Sequence, residues 1–175
     1  MPWQDTEAES FLSSYRHSGI KMKPSKLGLI SLLLWIVTVA ALAWFFIRGN
    51  TTVGTDHRTA IVLQASERDF VLSEMRGMLV ATQGILEGVT RGDMQAVTKA
   101  ASAAGMGVAA DANPALIAKL PLDFKALGMS VHHDMDDMAR AAATGTPAPE
   151  ILKMEANTLA KCIACHSTWQ LQAAR

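Results

Sequence analysis

The chain has 175 residues, 16 basic and 16 acidic side chains, and only two cysteines. This length suits one compact domain with accessory segments. The zero net charge argues against nucleic acid as the main partner, because phosphate binding needs a basic surplus. The sequence has no glycine-rich phosphate loop, serine elbow or HExxH motif. Alanine and methionine favour helices, and no long alternating pattern predicts strands, so we expect an all-α fold.

The first predicted element is an uncharged apolar stretch, Leu27–Ile47, bounded by Lys26 and Arg48. A helix of this length rises about 30 Å, the thickness of the hydrocarbon core of a bilayer. A cleaved signal peptide is the alternative, but its apolar region runs about 7–15 residues and ends in small side chains. Because this stretch is longer and ends in large aromatics, we predict a transmembrane anchor over residues 27–47.

Basic residues predict the orientation of this anchor. The preceding tail, residues 1–26, carries Arg16, Lys21, Lys23 and Lys26. Cytoplasmic segments are enriched in lysine and arginine, so the tail is expected in the cytoplasm and residues 49–175 outside it. In a bacterium this arrangement predicts a single-pass inner-membrane protein with a periplasmic domain.

Helical spacing after a short linker, residues 48–56, predicts an antiparallel four-helix bundle over residues 57–175. The first helix is expected over about 57–91, with an inner seam of Ile61, Ala65, Leu72, Met75, Leu79, Thr82, Leu86 and Val89. Gly92 ends this helix and Asp93 caps the next one. The second helix is expected to bury Val97, Ala100, Ala101 and Ala104.

Two longer helices complete the predicted bundle. A short helical turn is expected over residues 114–121, before the third helix, which runs from Leu122 to Ala143. Its inner positions are Phe124, Leu127, Val131, Met135 and Met138. The loop TGTPAP then separates it from a fourth helix over about 150–172.

The chemistry-bearing motif is Cys162-Ile163-Ala164-Cys165-His166 on the fourth helix. CxxCH is the attachment signature of c-type haem, in which each thiol forms a thioether and the histidine binds iron. Residues three and four apart share one face of a helix, so the three side chains project together. The sequence therefore predicts one covalent haem c at Cys162 and Cys165, with His166 as the proximal iron ligand.

Two other readings of the cysteine pair remain open. CxxC can supply two zinc ligands, and His132 and His133, of which only one can face inward, could supply others. A redox-active dithiol is usual near a βαβ pattern, which the sequence lacks. Neither alternative explains a histidine directly after the second cysteine.

The position of the motif near the end of a fourth helix resembles the cytochrome c′ and cytochrome c-556 group, whose bundles carry CxxCH on the final helix. Weaker similarities are Arg91-Gly92-Asp93, Leu120-Pro121 and the segment His132–Met135. Two features depart from the group: Gln170 replaces a basic residue after the motif, and the membrane anchor is unlike its soluble members. The resemblance implies a haem-binding four-helix bundle over residues 57–172.

In this group the first helix supplies the residue that faces the distal side of the haem. Met75 is the expected distal ligand and Met78 the second choice, whereas Leu72 over the iron would imply a five-coordinate, gas-binding protein. His/Met ligation raises the reduction potential and leaves no open position. Core packing is the simpler role for either methionine.

Arg68 and Arg76 on the first helix are candidate partners of the haem propionates, because a guanidinium matches carboxylate geometry. An ordinary surface position is the alternative for both.

The expected function is single-electron transfer between respiratory or photosynthetic partners in or near the inner membrane. The alternatives are binding of small gases such as NO or CO, and a permanent subunit of a larger membrane complex. Catalysis is not expected, because no nucleophile–base pair or carboxylate pair accompanies the motif. Bundles of this group often dimerise through the first two helices, and Ala96, Ala100, Ala103 and Ala104 would permit such a homodimer.

Overall fold

The computed structural model describes residues 25–174, so most of the predicted cytoplasmic tail lies outside the described residues. The first helix, α1, spans Lys26–Arg48 and buries none of its side chains. It is long and apolar enough to cross a membrane, by length and composition. The prediction of one apolar helix in this part of the chain is therefore confirmed.

The rest of the described chain is mostly helical. A short strand pair, β1 (Thr51–Val53) and β2 (Thr59–Leu63), precedes helix α2 (Ala65–Arg91). Helices α3 (Met94–Ser102), α4 (Met106–Ala109) and α5 (Pro114–Lys119) follow. Two long helices, α6 (Leu122–Ala143) and α7 (Ala148–Thr168), lead into a final strand, β3 (Trp169–Ala173).

The chain divides into two compact units after Ala40, so the last turns of α1 belong to the same unit as the bundle. Within this unit the Lys125 ammonium donates a hydrogen bond to the carbonyl of Phe46 at 3.1 Å and lies 3.6 Å from the centre of its ring. The carbonyls of a final helical turn lack partners within the helix. Lys125 therefore caps the end of α1, and burial lowers the pKa of its ammonium.

The bundle consists of α2, α3, α6 and α7, and their buried side chains form one core. This core contains Ile85, Val97, Met135, Met138 and Ile151. Four of the five inner positions predicted on α6 are buried. The fifth, Leu127, is half-buried. Three of the four on the second predicted helix are also buried, with Ala100 half-buried. The prediction that this part of the chain is mostly helical is confirmed, but six helices rather than four follow α1 in the described residues.

The seam predicted for the first helix is partly wrong. Leu79 is 68% exposed and Leu86 is 41% exposed, whereas Ala81, Ile85 and Gly88 are buried. Helix α2 carries apolar side chains on more than one face, so spacing alone did not identify the face that meets the core. A side chain at Gly88 would meet Val97 at 2.8 Å, so this glycine lets α3 pack closely on the buried face.

The all-α prediction is wrong, because the segments before the first bundle helix and after the last one pair to form one three-stranded sheet. β1 pairs with β2 antiparallel, and β2 pairs with β3 parallel, Ile61 lying opposite Leu171. The first helix therefore begins at Ala65 rather than near 57, and the last ends at Thr168 rather than near 172. These strands have only three to five residues, and β3 lies more than 100 residues after β2, so no local pattern reveals their pairing.

The predicted boundary between the first two bundle helices is confirmed. Gly92 adopts a left-handed conformation with φ of 70°, and its amide hydrogen bonds to carbonyls at the end of α2. The Asp93 carboxylate accepts a hydrogen bond of 2.9 Å from the amide of Ala96 and so caps α3. Both residues act as the local sequence predicts.

Candidate cofactor site

The CxxCH motif occupies the last turns of α7, where Cys162, Cys165 and His166 line one cleft. Both cysteines are free thiols and half-buried, and His166 is exposed at the edge of the cleft. The expectation that the three side chains project to the same side of the helix is confirmed. Helical spacing alone produces this convergence.

The surrounding walls form what we call the main cleft, which has a volume of about 200 Å³. Helices α2, α5, α6 and α7 contribute mostly apolar side chains, including Phe70, Val71, Leu116, Leu127 and Val131. Sites for cofactors are usually apolar concavities with few polar groups. The lining of the main cleft matches such a site.

Met75 stands out among the candidate distal ligands. It lines the main cleft and also a smaller side cleft of about 160 Å³, which it shares with Leu72, Cys165 and His166. Met78 shares the main cleft with His166 but does not line the side cleft, and it packs against the core of the bundle. Met75 is therefore the candidate methionine that lines both clefts with the CxxCH histidine.

Burial raises the pKa of both motif thiols, and neighbouring acidic groups raise it further. For Cys162 desolvation is the main cause and the Glu155 carboxyl adds to it. For Cys165 desolvation is followed by the effect of Cys162. A redox-active or metal-binding cysteine needs a lowered pKa to form its thiolate. The surroundings of this pair thus disfavour a dithiol catalyst.

Arg58, which the sequence analysis did not identify, holds the backbone directly after the motif. Its guanidinium donates hydrogen bonds to the carbonyls of His166 at 2.9 Å and Trp169 at 3.3 Å. The same group pairs with Asp56 at 2.6 Å, and Asp56 accepts a bond of 2.8 Å from Gln170. These contacts tie β3 to the loop before β2. They join residues more than 100 positions apart, so no local signal marks Arg58.

The guanidinium of Arg58 holds the pKa of the Asp56 carboxyl below its ordinary value of 3.8. A carboxyl with a lowered pKa in the folded state stabilises the fold above its ordinary pKa. This contribution is lost as the pH falls through the lowered value. The contact between Asp56 and Arg58 is thus intact at neutral pH.

We expect Arg58→Ala to lower the free energy of unfolding by about 1–2 kcal/mol, measured by urea unfolding in detergent. Hydrogen bonds to charged groups contribute about 1.5–3 kcal/mol, and partial exposure reduces this value. The matched control is Arg68→Ala, which removes only a surface pair with Asp69 and should cost less than about 0.5 kcal/mol. Equal effects of the two substitutions would contradict the role of Arg58.

The two arginines predicted to pair with propionates line neither cleft. Arg68 lies 3.5 Å from Asp69, and Arg76 is exposed. The cations that do line the clefts are Arg58, Lys125 and Lys161. Lys161 is already paired with Asp134 at 2.6 Å.

The histidine pair divides as expected, with one residue inside and one outside. His132 is half-buried, lines the main cleft and places its Nδ1 atom 2.9 Å from the carbonyl oxygen of Ala104. His133 is exposed. Among residues 25–174, no three histidine, cysteine, aspartate or glutamate side chains are grouped to hold a metal ion.

No family model, curated protein or solved structure matches this chain. The similarity to the cytochrome c′ group, which depends on CxxCH and its place on the last helix, stays a prediction.

Proposed function

We propose that this chain is a membrane-tethered c-type cytochrome that carries single electrons. The observation that supports it most strongly is the convergence of Cys162, Cys165, His166 and Met75 on connected apolar clefts. CxxCH is specific for covalent haem, and here it faces a concavity with a mostly apolar lining. The rest of the proposal follows from what these side chains can do.

The residues present fit a single haem c. The thiols of Cys162 and Cys165 would form the two thioethers, the imidazole of His166 would bind on the proximal side, and the thioether of Met75 would bind on the distal side. A bound haem supplies an iron that changes its oxidation state by one electron. The chain itself contributes the ligands, their orientation and an apolar surrounding.

Two features of the chain suit electron transfer. A methionine thioether is a soft, neutral ligand that raises the reduction potential and closes the remaining position. The hydrogen bonds from Arg58 to the carbonyls of His166 and Trp169 hold the backbone that carries the proximal imidazole. A site held in this way needs little rearrangement when an electron arrives.

The anchor places this chemistry beside a membrane. With the basic tail in the cytoplasm, the haem domain lies in the periplasm of a bacterium, attached to the inner membrane. Tethering raises the effective concentration of a carrier near its membrane-bound partners. We therefore propose redox proteins in or near the inner membrane as its partners.

An optical spectrum of the purified full-length protein, oxidised and reduced, with and without carbon monoxide, tests this function. We expect a low-spin haem spectrum that carbon monoxide leaves unchanged. Protein from cells able to mature c-type cytochromes that shows no haem spectrum would overturn the proposal. Protease treatment of spheroplasts tests the topology, since the haem domain should be cleaved from outside.

Gas binding is the second candidate function. Its supporting observation is that Leu72 lines the side cleft together with His166 and Met75. An apolar side chain over the iron would leave a position open for a small neutral gas. A high-spin spectrum that shifts with carbon monoxide would favour this function over electron transfer.

A further inference from the structure

The core of the bundle contains an ionisable group that the proposed function does not use. Glu155 on α7 is 1% exposed, and neither of its carboxyl oxygens has a hydrogen-bond partner. Two turns further along the same helix is Cys162. An ionised carboxylate without partners is costly in an apolar interior, so such a group binds a proton instead.

The electrostatic surroundings of Glu155 favour the protonated form. Burial raises the pKa of its carboxyl, and the nearby hydroxyl of Thr82 opposes this effect only in part. The charged and titratable side chains of the packed helices that are at least partly buried are Glu67, Arg68 and Glu74 on α2, Lys125, His132, Asp134 and Asp136 on α6, and Lys161, Cys162 and Cys165 on α7. Asp134 and Lys161 neutralise each other as a pair at 2.6 Å. No cation of the described chain forms a hydrogen bond with the Glu155 carboxyl.

Glu155 is also close enough to the motif for a change of charge there to alter the proton affinity of its carboxyl. The Glu155 carboxyl is the second-largest cause of the raised pKa of Cys162. Glu155 and Cys162 are seven helical residues apart, a rise of about 10 Å. A unit charge at that distance changes the proton affinity of a carboxyl about tenfold at an effective dielectric constant of about 20. Glu155 does not line either cleft, whereas Met75 and Met78 do, so it is distinct from the ligand set.

We propose that Glu155 is a proton-binding site coupled to the electron carried at the CxxCH site, an inference that rests on the proposed function. With haem bound, delivery of one electron by a one-electron donor would remove one unit of positive charge near Cys162. The proton affinity of Glu155 would then rise, and in the pH range where Glu155 is ionised before the electron arrives, its carboxylate would take one proton from solvent and become a neutral carboxylic acid. A one-electron acceptor would remove the electron again and Glu155 would release the proton, so the chain transfers both.

The test is the reduction potential of the full-length, haem-loaded protein, titrated from about pH 5 to about pH 9. In the wild type the potential should fall with pH over part of this range, by about 59 mV in total and with a steepest slope of about 30 mV per unit, because a tenfold change in the proton affinity of Glu155 corresponds to about 59 mV for one electron. Glu155→Gln keeps the shape and removes the titrating group, so its potential should lose this slope. Glu150→Gln is the matched control on the same helix, because Glu150 is exposed, and it should keep the wild-type slope.

A slope that persists unchanged in Glu155→Gln would overturn the coupling. Stability gives a second measurement, which needs no haem. A raised pKa in the folded state means that the wild type loses stability as the pH rises above about 4.5, the ordinary value. Glu155→Gln should therefore unfold at increasingly higher urea concentration than the wild type as the pH rises.

The two proposals fail in different ways. If the purified protein shows no haem spectrum, the proposed function and the coupling are both overturned, even if the wild type and Glu155→Gln differ in stability as expected. A normal haem spectrum with the same pH dependence of both potential and stability in wild type and Glu155→Gln overturns the proton site alone.

Discussion

Replacement of both Cys162 and Cys165 by alanine is expected to abolish covalent haem attachment completely. Each thiol can form one thioether, so no bond to the chain remains when both are removed. The measurement is haem staining of the denatured protein after electrophoresis, together with the optical spectrum. Because both thiols are only half-buried, their loss should leave the helical far-ultraviolet circular dichroism largely intact.

The single variants are the controls for this result. Cys162→Ala and Cys165→Ala each retain one thiol on the cleft, so each should keep some covalent haem with an altered spectrum. His166→Ala should retain attachment but lose the proximal ligand, because the imidazole bonds to iron and not to the porphyrin edge. Haem that stays covalently bound to the double alanine variant would contradict the assignment of the motif.

Replacement of Met75 by alanine is expected to open the distal position. The low-spin spectrum should become high-spin, carbon monoxide should bind, and the reduction potential should fall by about 0.1 V or more. Axial ligands set haem potentials over a range of about 0.8 V, and methionine lies at the raising end. The measurements are the optical spectrum with and without carbon monoxide and a redox titration.

Met78→Ala is the matched control, because Met78 lines the main cleft with His166 but, unlike Met75, does not line the side cleft. It should keep a low-spin spectrum. Met75→Leu preserves the volume of the side chain and removes only the sulfur, so it separates ligation from packing. A change to high spin in Met78→Ala but not in Met75→Ala would assign the distal ligand to Met78 instead.

The helices that could be predicted from the sequence are those with strong local signals. The run TGTP, residues 144–147, separates α6 from α7, and Gly92 with Asp93 separates α2 from α3. The inner positions of α6 recur at helical spacing and are largely buried in the structure. Periodicity and capping act over a few residues, which is why one sequence suffices to find these elements.

The strands and the buried face of α2 could not be predicted from local sequence patterns. The segment Thr59–Leu63 is rich in β-branched and apolar residues, but one strand of this length is not stable alone. Its partner β3 lies more than 100 residues away, where Trp169 and Leu171 alternate with glutamines. Helix α2 offers apolar side chains on several faces, so only its contacts with α3 decide which face is buried.

The sequence by itself determined the long apolar helix α1, the main helices and the side-by-side placement of Cys162, Cys165 and His166. Each depends on composition or on spacing within one helix. Only the tertiary structure decided that Met75 shares a cleft with His166, that Arg58 holds the backbone after the motif, and that Glu155 is buried without a partner. Each of these three features depends on how different elements pack against one another. Their distances follow from how helices and strands pack, which no local pattern specifies.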